Sequence, residues 1–296
     1  MNDAALLRLP NGLADAEDAS VQAMFEILDA RIRVISSSVS LLRQWSMLYA
    51  AFRVRPAAAD ITVAVGCPDD GDHPQPGEAA VIVGDLVQRW TGEEPLFPPL
   101  WVPPLDRWLY FRGTAVGRAG QAVLLLSEPN AGQALLTVAM LARGAWLLAD
   151  EIVPLDPEDL LVAPFPKALL LDRQALGLLG IDVAHPALTP FRTRAGEVEW
   201  RAEPQLLLGG RASRVAADAG ALVFLESSGA DRRPRLAPLA RREALERLCA
   251  QLHRVPVRFQ AGMEALVRLC ARAPTYIFAP GSPESSACLL DEELLL

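Results

Sequence analysis

Residues Gln121 to Asp156 read QAVLLLSEPNAGQALLTVAMLARGAWLLADEIVPLD, and this run constrains the fold more than any other part of the chain. QAVLLLS is a short continuous apolar run bounded by turn residues, the pattern of a buried strand. ALLTVAMLAR (Ala134 to Arg143) is long and apolar enough for a buried helix, and Gly144 follows it where a helix stop takes a left-handed residue. AWLLADEIVPL then gives a second buried strand, which runs straight into the acids Asp150 and Glu151. Strand, loop, helix and strand in this order make a βαβ unit, so an α/β fold is expected. The loop SEPNAG delivers a helix N-terminus, where unpaired N–H groups converge on anions in nucleotide-binding folds.

The rest of the composition narrows the function classes. The chain has 296 residues, 51% of them hydrophobic, enough to bury a core in one large domain or two modest ones. No stretch approaches the roughly 20 apolar residues that span a bilayer and no apolar leader follows a basic start, so a cytoplasmic protein without a membrane partner is expected. The net charge of −8 argues against a nucleic-acid partner, which needs a basic face. The one basic concentration, Arg232, Arg233, Arg235, Arg241 and Arg242, straddles a turn and a helix start and reads as a solvated hairpin. Cys67, Cys249, Cys270 and Cys288 are far apart and form no C-x-x-C pair or Cys/His cluster, so they read as buried thiols and no metal site is assigned. Lys167 is the only lysine.

Along the chain, residues 1–20 are polar with little periodicity, RIRVISS (Arg31 to Ser37) alternates as a strand, and SLLRQWSMLYAAFR (Ser40 to Arg53) has helical spacing. DITVAVG (Asp60 to Gly66) is a further strand, followed by the turn-rich connection CPDDGDHPQPGEA. PLFPPLWVPPLDRW (Pro95 to Trp108) has too many prolines for an internal helix or a central strand. The boundary is set there, between a mixed α/β N-terminal domain over 1–104 and a second α/β domain over 105–296. In the latter, LYFRGTAV and GQAVLLLS pair across a turn at Gly117–Gly120, and a strand is expected over Leu161 to Leu171 around FPKALLL. GALVFLES and TYIFA read as later strands, RREALERLCAQL and GMEALVRLCARA as amphipathic helices, and a short helix ends the chain.

A phosphate loop, G-x-x-x-x-G-K-[ST], uses backbone N–H groups for the phosphates, its lysine for the β/γ oxygens and its hydroxyl for Mg²⁺. With Gly132 as the second glycine, Ser127 stands at the first, Gln133 at the lysine and Ala134 at the hydroxyl. The candidate ligand-binding residues are therefore those of this loop and helix start, Ser127, Asn130, Gly132, Gln133 and Ala134.

Four further segments bear on the domain: FRGTAV (Phe111 to Val116), ARGAWLLADEIV (Ala142 to Val153), PFPKALLL (Pro164 to Leu171) and APTYIFAPGSPESSACLLDEEL from Ala273 to Leu294. In these the chain, from about residue 105 to 296, resembles the HPr kinase/phosphorylase family and its relatives found beside peptide-modification genes. The resemblance implies a P-loop HPr-kinase-like C-terminal domain with a degenerate phosphate loop. It implies that Arg112 stands where the family has a histidine, Gln133 where it has the nucleotide-clamping lysine and Ala134 where it has the Mg²⁺-holding hydroxyl. Glu128 adds a carboxylate inside the loop. Asp150 keeps the first aspartate of the family's acid pair, its catalytic base and metal partner, and Glu151 replaces the second. Asp150, Glu151 and Arg112 are the catalytic candidates.

Each lost group at a developing charge costs about 10²–10³-fold in rate. The reading that follows is a catalytically impaired pseudokinase without a cofactor, which binds a peptide or protein partner in a peptide biosynthesis or modification setting. The alternative is an active ATP-dependent serine kinase with an altered loop and ATP and Mg²⁺ as cofactors, in which Asp150 is the base and one of Arg192, Arg194 and Arg201 reaches over the site. A third reading keeps Asp150 and Glu151 as the solvated strand end of an ordinary α/β domain. The resemblance also implies a homo-oligomer. His73, His185 and His253 lie apart, and no serine sits in a G-x-S-x-G elbow, so no rival active site is expected.

Overall fold

The computed structural model describes residues 21–36, 39–65, 79–83, 86–90, 98–100, 102–103, 105–127, 132–192, 198–209, 211–226, 233–253 and 258–294. The chain divides into two compact units, Met1–Leu105 and Asp106–Leu296. Among the described residues no helix is long and apolar enough to cross a membrane.

In the first unit, β1 (Val21–Ile27), β2 (Ala30–Ser36), β3 (Ile61–Val65), β4 (Ala79–Val83) and β5 (Leu86–Trp90) form a sheet in that order, with β2 and β3 parallel and the other pairs antiparallel. Alternation in β2 buries Ala30, Ile32 and Val34 and exposes Arg31 and Arg33. Helix α1 (Val39–Leu48) follows β2, and its buried positions Leu41 and Trp45 are four residues apart, one turn above each other on one face. Trp45 and Tyr49 lie with ring centroids 4.9 Å apart, and Trp45 lies 5.6 Å from Phe25. The helix stops five residues earlier than the spacing predicts, and a 3₁₀ turn, Ala50–Phe52, takes over.

The second unit begins with β6 (Leu109–Arg118), β7 (Gln121–Leu126), α2 (Gln133–Ala142), β8 (Trp146–Ala149), β9 (Ile152–Leu155) and β10 (Leu161–Val162). It continues with β11 (Leu169–Leu171), α3 (Arg173–Leu179), β12 (Leu188–Arg192), β13 (Val198–Ala202) and α4 (Pro204–Leu207). It ends with β14 (Ala217–Leu225), β15 (Arg235–Pro238), α5 (Arg241–Gln251), α6 (Phe259–Arg272), β16 (Thr275–Ala279) and α7 (Pro283–Leu294). Over the described residues the main sheet runs β10-β9-β6-β7-β14-β16-β15, with β8 also paired to β6. Val123, Leu125, Val223 and Leu225 on one face share a core with Leu136 and Met140 of α2, Leu176 of α3 and Leu290 of α7. Their neighbours Leu124, Leu126, Leu222 and Phe224, which alternate to the other face, are buried as well. Burial on both faces explains why these strands read as unbroken apolar runs.

Two expectations change. The strand, helix and strand read from Gln121 to Leu155 are present, but β7 and β8 are not neighbours. The strand β6 lies between them and is antiparallel to both, so β7 and β8 run parallel with one strand intervening. The single strand expected over Leu161 to Leu171 is broken, because Pro164 and Pro166 flank Phe165 and neither can donate to a ladder. What remains is β10 in the main sheet, a lone bridge from Phe165 to Ala149, and β11 in a separate sheet of order β11-β13-β12. The segment in between carries Lys167 from one sheet to the other. At the β6–β7 turn the strand runs to Arg118, and Ala119 and Gly120 take φ of 51° and 84°, the conformation that matches the twist of a two-residue hairpin.

Candidate functional site

The acids lie in the gap between β8 and β9. The pairs Ala115–Ala149 and Arg112–Ile152 share one antiparallel register along β6, so Asp150 falls opposite Thr114 and Glu151 opposite Gly113. The Gly113 N–H donates to the Glu151 carbonyl at 3.1 Å, and the Thr114 hydroxyl donates to Asp150 Oδ1 at 2.9 Å. Glu151 itself takes φ of 63°, a left-handed conformation that costs a non-glycine residue on the order of 1–2 kcal/mol. Gly113 is fixed by contact: a Cβ there would sit 2.5 Å from the carbonyl oxygen of Leu125 on β7.

Thr114 is also the junction of a second set of bonds. Ser127, just past β7, donates from Oγ to Gln133 Oε1 at 2.5 Å, and Gln133, the first residue of α2, donates from Nε2 to Thr114 Oγ1 at 2.6 Å. Ser127, Gln133, Thr114 and Asp150 therefore form one directed chain across four successive elements, with Ser127 and Thr114 both buried. Burial pushes the Asp150 carboxyl above its ordinary range and the neighbouring Glu151 charge adds to this. Lys167, the Thr114 hydroxyl and the Glu151 N–H pull it back.

Glu151 faces Lys167. Its Oε2 is ion-paired with Lys167 Nζ; the lysine side chain is 8% exposed and the glutamate side chain 52%. Arg201 on β13 is paired in register with Leu170 of β11, three residues after Lys167, and its guanidinium lies 4.0 Å from the centre of the Phe191 ring. Burial lowers the proton affinity of Arg201, and the charge of Glu151 opposes that shift.

The structure thus brings Ser127, Gln133, Asp150 and Glu151 to one place. Gly132 is the left-handed residue before α2, with φ of 78°, and Ala134 presents an exposed methyl group where a hydroxyl was sought. Arg112 is exposed on β6, and among the described residues no hydrogen bond or ion pair joins it to the acids. Asn130 and Glu128 lie outside the described residues. Thr114 was not singled out by its sequence, and only the β6–β8–β9 register reveals it as the partner of Asp150. Lys167 was visible as the sole lysine, and Arg201 as one of three arginines able to approach. Among the described residues no group of three or more His, Cys, Asp or Glu side chains is placed to hold a metal ion.

No protein-family model matches this chain, and no curated protein matches it. Among solved structures, the Hpr(Ser) kinase/phosphatase from Coxiella burnetii is similar over 62% of this chain and 86% of that one, at 12% identity and a TM-score of 0.32. That likeness is a weak one of fold, and no residue role is taken from it.

Proposed function

We propose that the C-terminal unit is an HPr-kinase-like domain that no longer transfers phosphate and that binds a peptide or protein partner beside its acids, Asp150 and Glu151. The observation that carries this reading is the use of Gln133. At the place where a phosphate loop aims a lysine at the β/γ oxygens, the side chain turns inward and spends both its amide oxygen and its amide nitrogen on Ser127 and Thr114. The adjacent Ala134 has no group for Mg²⁺, so neither of the two side chains that neutralise a polyphosphate is in place. The charges that remain, Glu151, Lys167 and Arg201, are suited to polar groups of a partner. A setting in peptide modification follows from the sequence resemblance alone.

Isothermal titration with ATP, with and without Mg²⁺, tests the reading. No saturable binding is expected at millimolar nucleotide; micromolar Mg·ATP binding that Asp150→Asn abolishes would refute it. One observation favours a second reading, an active serine kinase with an altered loop. Asp150 is a carboxyl whose proton affinity burial has raised toward the range useful to a general base. Transfer of labelled phosphate from ATP to a serine-containing peptide, lost in Asp150→Asn, would establish that reading instead.

A further inference from the structure

The small sheet β11-β13-β12 has two unequal faces. Leu169, Leu171, Trp200, Ala202 and Leu188 alternate to one side and are buried in the core. The other side carries Leu170, Arg201 and Thr189, which are register partners across the three strands, with Glu199 and Phe191 as the next pair along. A face turned away from the core is ordinarily polar, yet Leu170 is 46% exposed. Arg201 beside it is half-buried, and its guanidinium lies over Phe191, 4.0 Å from the ring centre. Stacking uses the flat face of a guanidinium and leaves the N–H donors at its edge for an acceptor. Among the described residues no hydrogen bond or ion pair uses those donors. An unspent donor fork and an exposed leucine are therefore cross-strand neighbours, with Cβ atoms about 5 Å apart. The face is near the acids: Lys167, ion-paired with Glu151, precedes Leu170 by three residues, a span of at most about 11 Å.

We propose that this outward face docks an extended segment of the partner, in which the carboxylate of a glutamate or aspartate meets the edge of Arg201 and an apolar side chain two residues away covers Leu170. This rests on the reading that a partner binds beside Asp150 and Glu151, and it gives that partner an acidic and apolar chemistry. A carboxylate matches the guanidinium fork with two parallel N–H···O bonds. Stacking on Phe191 already fixes the plane of that fork, so little side-chain freedom is lost on binding. Side chains i and i+2 of an extended segment point the same way and lie about 6.6–6.8 Å apart, a spacing that neighbouring residues of two strands can receive. A segment crossing the strands from Leu170 continues past Arg201 to Thr189, so the acid belongs within the segment and not at its free C-terminus.

The probe is the capped peptide acetyl-Gly-Leu-Ser-Glu-Gly-amide, compared with the same peptide carrying glutamine or lysine in place of its glutamate. Each is titrated into the full chain labelled with ¹⁵N, and the Arg201 Nε–H signal, identified by its absence from Arg201→Gln, is followed. A saturable shift is expected with the glutamate peptide, and a Kd about fivefold or more weaker with the glutamine peptide. Arg201→Gln should abolish that preference, read from the backbone signals of Leu170 and Thr189. Arg201→Lys, which keeps the charge and loses the fork, serves if the glutamine variant fails to fold. Leu170→Thr should weaken the glutamate peptide and leave its preference over glutamine intact. No saturable shift, equal Kd values for the glutamate and glutamine peptides, or tighter binding of the lysine peptide would overturn the proposal. Saturable Mg·ATP binding would remove the reading of lost phosphate transfer and leave this face untouched, so either idea can fail alone.

Discussion

Replacing Gln133 by methionine keeps the length of the side chain and removes both of its hydrogen bonds. Ser127 is buried and would lose Gln133 as the acceptor of its hydroxyl, which costs about 1–3 kcal/mol for a buried polar group left unmatched. Thr114 is also buried but keeps Asp150 as acceptor, so its loss is that of one ordinary bond, about 0.5–1.5 kcal/mol. Gln133 is only half-buried, so water can reach part of the vacated space and the total belongs at the low end, about 2 kcal/mol. In a unit of this size that corresponds to a fall in Tm of about 4–8 °C. Scanning calorimetry of Gln133→Met, Thr114→Val and the double variant measures it, with the two units fitted as separate transitions. Side chains in one hydrogen-bond chain should couple, so the double variant is expected to be less destabilised than the sum of the singles by about 1 kcal/mol. Additivity within about 0.3–0.5 kcal/mol would refute the bond between Gln133 and Thr114 and with it the reading of the loop.

Asp150→Asn preserves the acceptor for Thr114 and removes the titration. Because the folded carboxyl holds its proton more tightly than the unfolded one, its contribution to stability is complete below the ordinary value of 3.8 and is lost as pH rises through the elevated folded value. The variant should therefore be more stable than the parent at pH 8, with the gap in Tm closing toward pH 4; a gap independent of pH would contradict the burial of this group. Gly113→Ala must push its methyl group from a 2.5 Å approach to the β7 backbone and is expected to cost about 2 kcal/mol or more, read as a lower urea midpoint. Asp291 on α7 receives Arg118 at 2.9 Å and Arg143 at 3.0 Å, tying the last helix to the β6–β7 hairpin and the end of α2. The arginines are about one-third exposed, so after screening Asp291→Ala should cost only about 1 kcal/mol, and the difference in Tm should shrink in 1 M salt.

The elements that sequence reading located were those whose pattern is set by burial. The run QAVLLL is apolar because both faces of β7 are covered, and the helix after Gly132 starts where a left-handed residue ends the loop. What it could not locate was set by neighbours distant in sequence. Nothing local to AWLLADEIVPL says that β6 separates it from β7, or that the acids interrupt the strand instead of ending it. Strands β12 and β13 were not foreseen, since LTPFR contains a proline and VEWRA carries charges at alternate positions, and both belong to a small sheet that buries only part of itself, notably Trp200 and Ala202. At the site, Ser127 and Gln133 were found because a loop pattern was laid on the chain, although their bond to each other was not expected. Thr114 escaped because a threonine in a strand is common and its role comes entirely from the register opposite Asp150.

A glutamine at position 133 differs from the lysine of a phosphate loop in more than charge. A lysine, the residue a phosphate loop carries there, has only donors to offer. Set between Ser127 and Thr114 it could supply no acceptor for the serine hydroxyl, and its charge near Asp150 would draw that carboxyl toward the ionised form. Glutamine presents one acceptor and one donor pair, which is what a hydroxyl on each side requires for a directed chain to close. The carboxyl at the end of that chain is then free to keep the raised proton affinity that burial gives it, and beside the acids Lys167 is ion-paired with Glu151. The end of the site at Ser127, Gln133 and Thr114 is thus neutral and internally satisfied, and the ion pair of Glu151 with Lys167 lies at the acid end.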